Sequence, residues 1–135
     1  MTGIKKRGRV HGLVGSLVAA CTAVGVLATP AQADDIITPV TWATRGYAYG
    51  AGEGVWHSYG ETLALYDRKA DGAGVTAYLF VNGSLYTQKT CTSGASSGCN
   101  YNFSFPEGLS VRLDVCLEDD GTVIAESCDT RYGTT

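Results

Sequence analysis

Asn82-Gly83 sits between Val75-Thr76-Ala77-Tyr78-Leu79-Phe80-Val81 and Ser84-Leu85-Tyr86-Thr87-Gln88-Lys89-Thr90. Two β-branched and aromatic runs joined by Asn-Gly form the strongest short hairpin signal, because both central residues of a type I′ turn need positive φ. A two-residue loop sets the register, placing Phe80 opposite Leu85 and Tyr78 opposite Thr87. The same period of two recurs along the chain. Tyr101, Phe103 and Phe105 alternate with Asn100, Asn102 and Ser104, and Val111, Leu113 and Val115 alternate with Ser110, Arg112 and Asp114. These two runs read as a second hairpin, Cys99 to Cys116, turning at Pro106-Glu107-Gly108. Glu118-Asp119-Asp120-Gly121 leads into a strand at Thr122–Ala125, Thr62–Asp67 reads as a strand with Leu63 and Leu65 inward, and Thr38–Thr44 adds another. No helical period competes. About seven short strands at this spacing predict an all-β fold, an antiparallel immunoglobulin-like β-sandwich with two disulfides.

The segment ahead of these strands has a different character. Lys5, Lys6, Arg7 and Arg9 precede an apolar run from about Gly12 to Leu27, and Ala31-Gln32-Ala33 closes it. That order predicts a secretory signal peptide over residues 1–33 and a secreted domain over 34–135. The run is shorter than a membrane span, and Pro30 follows it. Val18-Ala19-Ala20-Cys21 also has the order of a lipoprotein box, which would tether the domain to the cell surface through Cys21. Thr22–Leu27 stays apolar where a lipoprotein continues with a polar tether, so extracellular release is the expectation.

Loss of the signal changes the charge. Four of the 10 basic residues lie in it and none of the 13 acidic ones, leaving six against 13, a formal net charge of −7. Such a surface repels phosphate backbones, so neither nucleic acid nor an anionic membrane is an expected partner. Cysteine arithmetic follows the same cut. Cys91, Cys99, Cys116 and Cys128 remain, an even number in an oxidising setting, with no C-x-x-C pair to suggest a metal. Alternation puts Cys99 on an inner face and Cys116 on an outer one, which disfavours their direct bridge and points to Cys91–Cys99 with Cys116–Cys128.

Motifs that carry chemistry are sparse. His57 is the only histidine after the signal, and no G-x-S-x-G occurs. Glu53, Glu61, Asp67, Asp71 and Asp114 are carboxylates from which a glycosidase pair would be drawn, but nothing in the sequence sets their separation. Asp67-Arg68-Lys69-Ala70-Asp71-Gly72 begins like a calcium loop, yet Lys69 and Tyr78 occupy two ligand positions, so a turn between strands is the better reading. No catalytic site, metal or cofactor is expected. The candidate ligand-binding residues are Tyr47, Tyr49, Trp56, His57 and Tyr59, in the glycine-rich stretch Gly46–Gly60. Tyrosine and tryptophan give large contact area at low entropic cost, although the same rings would also serve as core.

Through Tyr59-Gly60-Glu61-Thr62-Leu63, Ala70-Asp71-Gly72, Val111-Arg112-Leu113-Asp114-Val115-Cys116 and Cys128, the chain resembles small secreted actinobacterial proteins of uncharacterised function. These are turn and disulfide markers, and the resemblance implies secretion and a sandwich without supplying a site. In architecture only, the expected domain is similar to neocarzinostatin-type apoproteins. The expected function is that of a secreted, non-catalytic and monomeric module that binds an extracellular protein or a small ligand. The alternative is an inhibitor of extracellular proteases or amylases that presents Thr92–Gly98 as a disulfide-braced loop.

Overall fold

The type I′ turn at Asn82-Gly83 forms as expected, with φ of 49° and 78°, and Asp120-Gly121 repeats it at 47° and 77°. In the computed structural model, which describes residues 35–95 and 98–135, these turns close two of the hairpins of an antiparallel β-sandwich. Residues 1–33, expected from the sequence to be a signal peptide, lie outside the described residues, and Cys21 with them.

The described residues form eight strands: β1 (Ile36–Ile37), β2 (Gly52–His57), β3 (Thr62–Asp67), β4 (Gly74–Val81), β5 (Ser84–Cys91), β6 (Gly98–Asn102), β7 (Ser110–Asp119) and β8 (Thr122–Thr134). They form two four-stranded sheets, in the orders β1-β2-β3-β6 and β5-β4-β7-β8. Alternation decides which side chains meet between them. Trp56, Leu63 and Leu65 from the first sheet pack on Val75, Leu79, Val111, Leu113, Val115 and Leu117 from the second.

Three expectations about the strands need correction. Tyr78 lies opposite Gln88, not Thr87, because a bulge between Leu79 and Phe80 adds Tyr86 to β5. The extra residue lays its ring edge-on against Phe105 and Phe103, with centroids 4.8 and 5.8 Å away. Phe80 does face Leu85.

The runs around Cys99–Phe105 and Ser110–Cys116 do not form a hairpin. β6 pairs with β3, while β7 pairs with β4 and β8 in the other sheet, so Phe103–Leu109 crosses between sheets. Phe103 and Phe105 are used to plug the end of the core beside Trp56, rather than to face Leu113 and Val111.

Thr38–Thr44 is not a continuous strand. Pro39 has no N–H to donate, and this stretch makes only isolated bridges, Val40 to Glu53 and Thr44 to Tyr47. The glycine-rich stretch Gly46–Gly60, to which the sequence assigned no strand, contains β2. Gly52 and Gly54 point inward, and a Cβ on Gly54 would stand 2.6 Å from Val115 Cγ2. These two glycines let the sheets approach where Val75, Val115 and Leu117 already fill the space.

Both disulfides pair as expected. Cys91–Cys99 joins β5 to β6 and therefore bridges the sheets, with Cα atoms 5.7 Å apart. Cys116–Cys128 links neighbouring strands on the outer face, with Cα atoms 4.1 Å apart. A register shift after Val115 brings these two together: residues 125–127 bulge out of β8, and the Ser127 hydroxyl accepts from Leu117 N and donates to Ile124 O.

The two sides of the sandwich differ in how their edges are covered. Residues 35–42 run beside β8, with Trp42 N donating to Ser127 O at 2.8 Å and Thr134 N donating to Asp35 Oδ2 at 3.0 Å. On the other side β5 carries the Tyr86 bulge and Lys89, two features that hinder edge-to-edge pairing.

Candidate functional site

The sandwich separates the five candidate binding residues into four places. Trp56 is completely buried, and its indole Nε1 donates to Thr134 O at 2.9 Å. His57 sits on the outer face of β2, in register with Thr62 and Ile36. Tyr59 is 74% exposed at the turn between β2 and β3, at the same end of the sandwich as Trp56. Tyr47 and Tyr49 lie at the opposite end, in an arm formed by residues 41–50.

That arm is held by backbone and side-chain hydrogen bonds. Thr41 N donates to Gly52 O, Gly50 N to Thr41 O, and Gly52 N to the Thr41 hydroxyl, with Thr41 fully buried. Thr44 and Tyr47 exchange both backbone bonds across Arg45-Gly46, whose φ values are 49° and 91°. The arm is therefore ordered without a large core of its own.

Folding back in this way brings Trp42 against Tyr49, ring centroids 5.5 Å apart and tilted by 56°. The two rings remain 50% and 58% exposed. Sequence reasoning missed Trp42. The available signal was its position, since 42 and 49 are equidistant from Arg45-Gly46 and so become cross-strand neighbours once that dipeptide turns.

The arm has a charged margin. Tyr47 donates its hydroxyl proton to Asp119 Oδ2 at 2.9 Å. This bond, then desolvation, then the negative charges of Asp119, Asp71 and Asp120 raise its pKa above the ordinary value near 10. Arg45 Nη2 pairs with Glu126 Oε1 at 2.8 Å. The Glu126 carboxyl is held below its ordinary range first by a backbone hydrogen bond and then by Arg45. Between the arm and the β7–β8 turn lies a cavity of about 330 Å³, lined by Arg45, Tyr47, Asp119, Thr122 and Ile124.

A larger depression of about 520 Å³ occupies the same end, between the β3–β4 link, the β5–β6 loop and the β7–β8 turn. Asp67, Glu118 and Asp120 contribute carboxylates to its wall and Lys69 an ammonium. Among the described residues, no group of His, Cys, Asp or Glu has the arrangement of a metal site.

The five carboxylates singled out from the sequence each have a local bonding role. Glu53 pairs with Arg68 at 2.5 Å, and Asp114 pairs with Arg112 at 3.2 Å while accepting from the Thr130 hydroxyl. Asp67 accepts from Lys69 N, and Asp71 accepts from Ala73 N, as suits a turn rather than a calcium loop. Glu61 is buried and accepts from Phe105 N. Comparison of the chain with protein-family models, curated proteins and solved structures finds no match.

Proposed function

We propose that this chain is a secreted, non-catalytic binding module that engages an extracellular partner through the arm at residues 41–50. The observation that carries this reading is the Trp42–Tyr49 pair: two large rings held side by side, half exposed, on a hydrogen-bonded arm. Tryptophan, tyrosine and arginine dominate binding hot spots, and Trp42, Tyr49 and Arg45 stand together here. Two disulfides are compatible with an extracellular location. The test is affinity capture from native culture fluid on immobilised wild-type protein and on the Trp42→Ala/Tyr49→Ala variant. Captured partner should fall by about tenfold on the variant, with the thermal transition nearly unchanged. Equal capture on both, or loss of the fold in the variant, overturns the reading.

One observation favours the inhibitor alternative. The inter-sheet bridge Cys91–Cys99 closes residues 92–98 into a loop that is fixed at both ends, a suitable base for presentation to a hydrolase cleft. Stoichiometric inhibition of a protease or amylase, abolished by proteolytic nicking of that loop, would establish it over the arm.

A further inference from the structure

The chain repeatedly covers its own partly exposed rings with cations. Arg112 lies 3.6 Å above the Phe80 ring while pairing with Asp114, and Arg68 lies 4.2 Å above the Tyr66 ring while pairing with Glu53. Lys89 stands 5.1 Å over Tyr101. In the two arginine cases the arrangement has three parts: a ring, a guanidinium stacked on it, and a carboxylate that accepts from the guanidinium edge. Arginine suits this role because its planar group stacks and donates in-plane at the same time.

At the arm, two of the three parts are present. Trp42 and Tyr49 supply the rings and Asp119 and Asp120 the carboxylates, but no cation of the described residues lies over either ring. Tyr47, two residues from Tyr49, reaches Asp119 directly. Arg45 is already paired with Glu126. Asp67, Asp71, Glu118, Asp119 and Asp120 gather at this end against Lys69. The field of three of them is felt at Tyr47, whose proton is retained by Asp119, Asp71 and Asp120 together.

We infer that the partner of the arm is an arginine-bearing polypeptide segment, one guanidinium stacking on the Trp42–Tyr49 pair while a neighbouring cation meets Asp119 and Asp120. This deepens the proposed binding reading and rests on it. Charge complementarity selects the partner: the chain is acidic overall, and this end concentrates that acidity beside exposed aromatic surface.

The test uses the folded protein and a fluorescein-labelled (Arg-Gly)4 peptide, with (Lys-Gly)4 and (citrulline-Gly)4 as controls, read by fluorescence anisotropy. Saturable binding of the arginine peptide is expected, weakening as salt rises from about 20 to about 150 mM. It should exceed the lysine peptide's affinity by about fivefold and the citrulline peptide's by more. Trp42→Ala/Tyr49→Ala and Asp119→Asn/Asp120→Asn should each lose about fivefold or more, whereas Glu107→Gln, at the far end of the sandwich, should lose nothing. Binding that is absent up to about 1 mM, indifferent to either double variant, equal for the two cationic peptides, or replaced by ring-dependent binding of a neutral oligosaccharide overturns the inference. If the arm variant loses its native partner while the arginine peptide fails, the arginine assignment falls and the binding module stands. If the variant loses neither, both fall.

Discussion

The buried carboxylate of Glu61 accepts a hydrogen bond of 2.7 Å from the backbone N–H of Phe105, 44 residues further along the chain. The carbonyl of Glu61 accepts another from Phe103 N at 3.0 Å, so one turn residue holds both rungs of the segment that crosses between the sheets. Its second oxygen, Oε1, is buried with no hydrogen-bond partner. Removing the acceptor leaves Phe105 N–H unpaired, and Glu61→Ala should destabilise by about 2 to 3 kcal/mol. Glu61→Gln keeps one acceptor oxygen and should lose about 1 kcal/mol. Urea denaturation of the three proteins checks this; equal stability of wild type and Glu61→Ala would show that the crossing segment is held by its rings alone.

Gly54→Ala places a methyl 2.6 Å from Val115 Cγ2, a branched side chain in a packed core. The expected loss is about 1 to 3 kcal/mol. Val115→Ala in the same protein should recover part of it, giving a clear non-additive term in a double-mutant cycle. Strict additivity would mean that the sheets part to admit the methyl.

Trp56→Ala should cost about 3 to 5 kcal/mol, because it empties a fully buried site and leaves Thr134 O without its donor. Tyr59→Ala should change stability by no more than about 0.5 kcal/mol, its ring being mostly in solvent. Thermal denaturation distinguishes the two rings, which stand three residues apart in the sequence.

Replacing Cys91 and Cys99 together by serine removes the covalent link between sheets. The loop-entropy estimate for such a short loop is about 2.5 kcal/mol. Hydrogen exchange should show the loss of protection concentrated in β5 and β6, with β7 and β8 protected as before. A uniform loss would indicate that the bridge acts on the unfolded chain alone.

Tyr47 ionises at higher pH than an ordinary tyrosine because Asp119 accepts its proton and nearby carboxylates oppose the phenolate. A raised pKa in the folded state means that the interaction stabilises the fold below the unfolded value near 10 and is lost as pH rises through the folded value. Ultraviolet titration of wild type minus Tyr47→Phe should give a phenolate transition above pH 10, moving down in Asp119→Asn. A transition unaffected by Asp119→Asn would break the assignment.

Periodicity made the strands with large inward residues legible. Leu63 and Leu65 in β3 and the valines and leucines of β7 declare their face, and Asn82-Gly83 and Asp120-Gly121 declare their turns. β2 was hidden because two of its three inward positions, Gly52 and Gly54, have no side chain to register a pattern. The path of Cys99–Val115 was hidden for another reason: Pro106-Glu107-Gly108 permits a hairpin turn or a crossing equally well. Only the distant Glu61 and Trp56 decide between them. The arm was half legible. Its tyrosines stood out by type, whereas Trp42 gained meaning only from the turn at Arg45-Gly46 that sets it beside Tyr49.

The cover along β8 sets an order of events in folding. The hairpins β4–β5 and β7–β8 close over two-residue turns and can form early, on the microsecond scale of isolated hairpins. The bond from Thr134 N to Asp35 Oδ2 joins residues 99 positions apart and gains nothing until both sheets are in place. Until that late contact forms, β8 presents an open edge to other chains. The interval before closure is therefore when this domain is most exposed to strand exchange and aggregation.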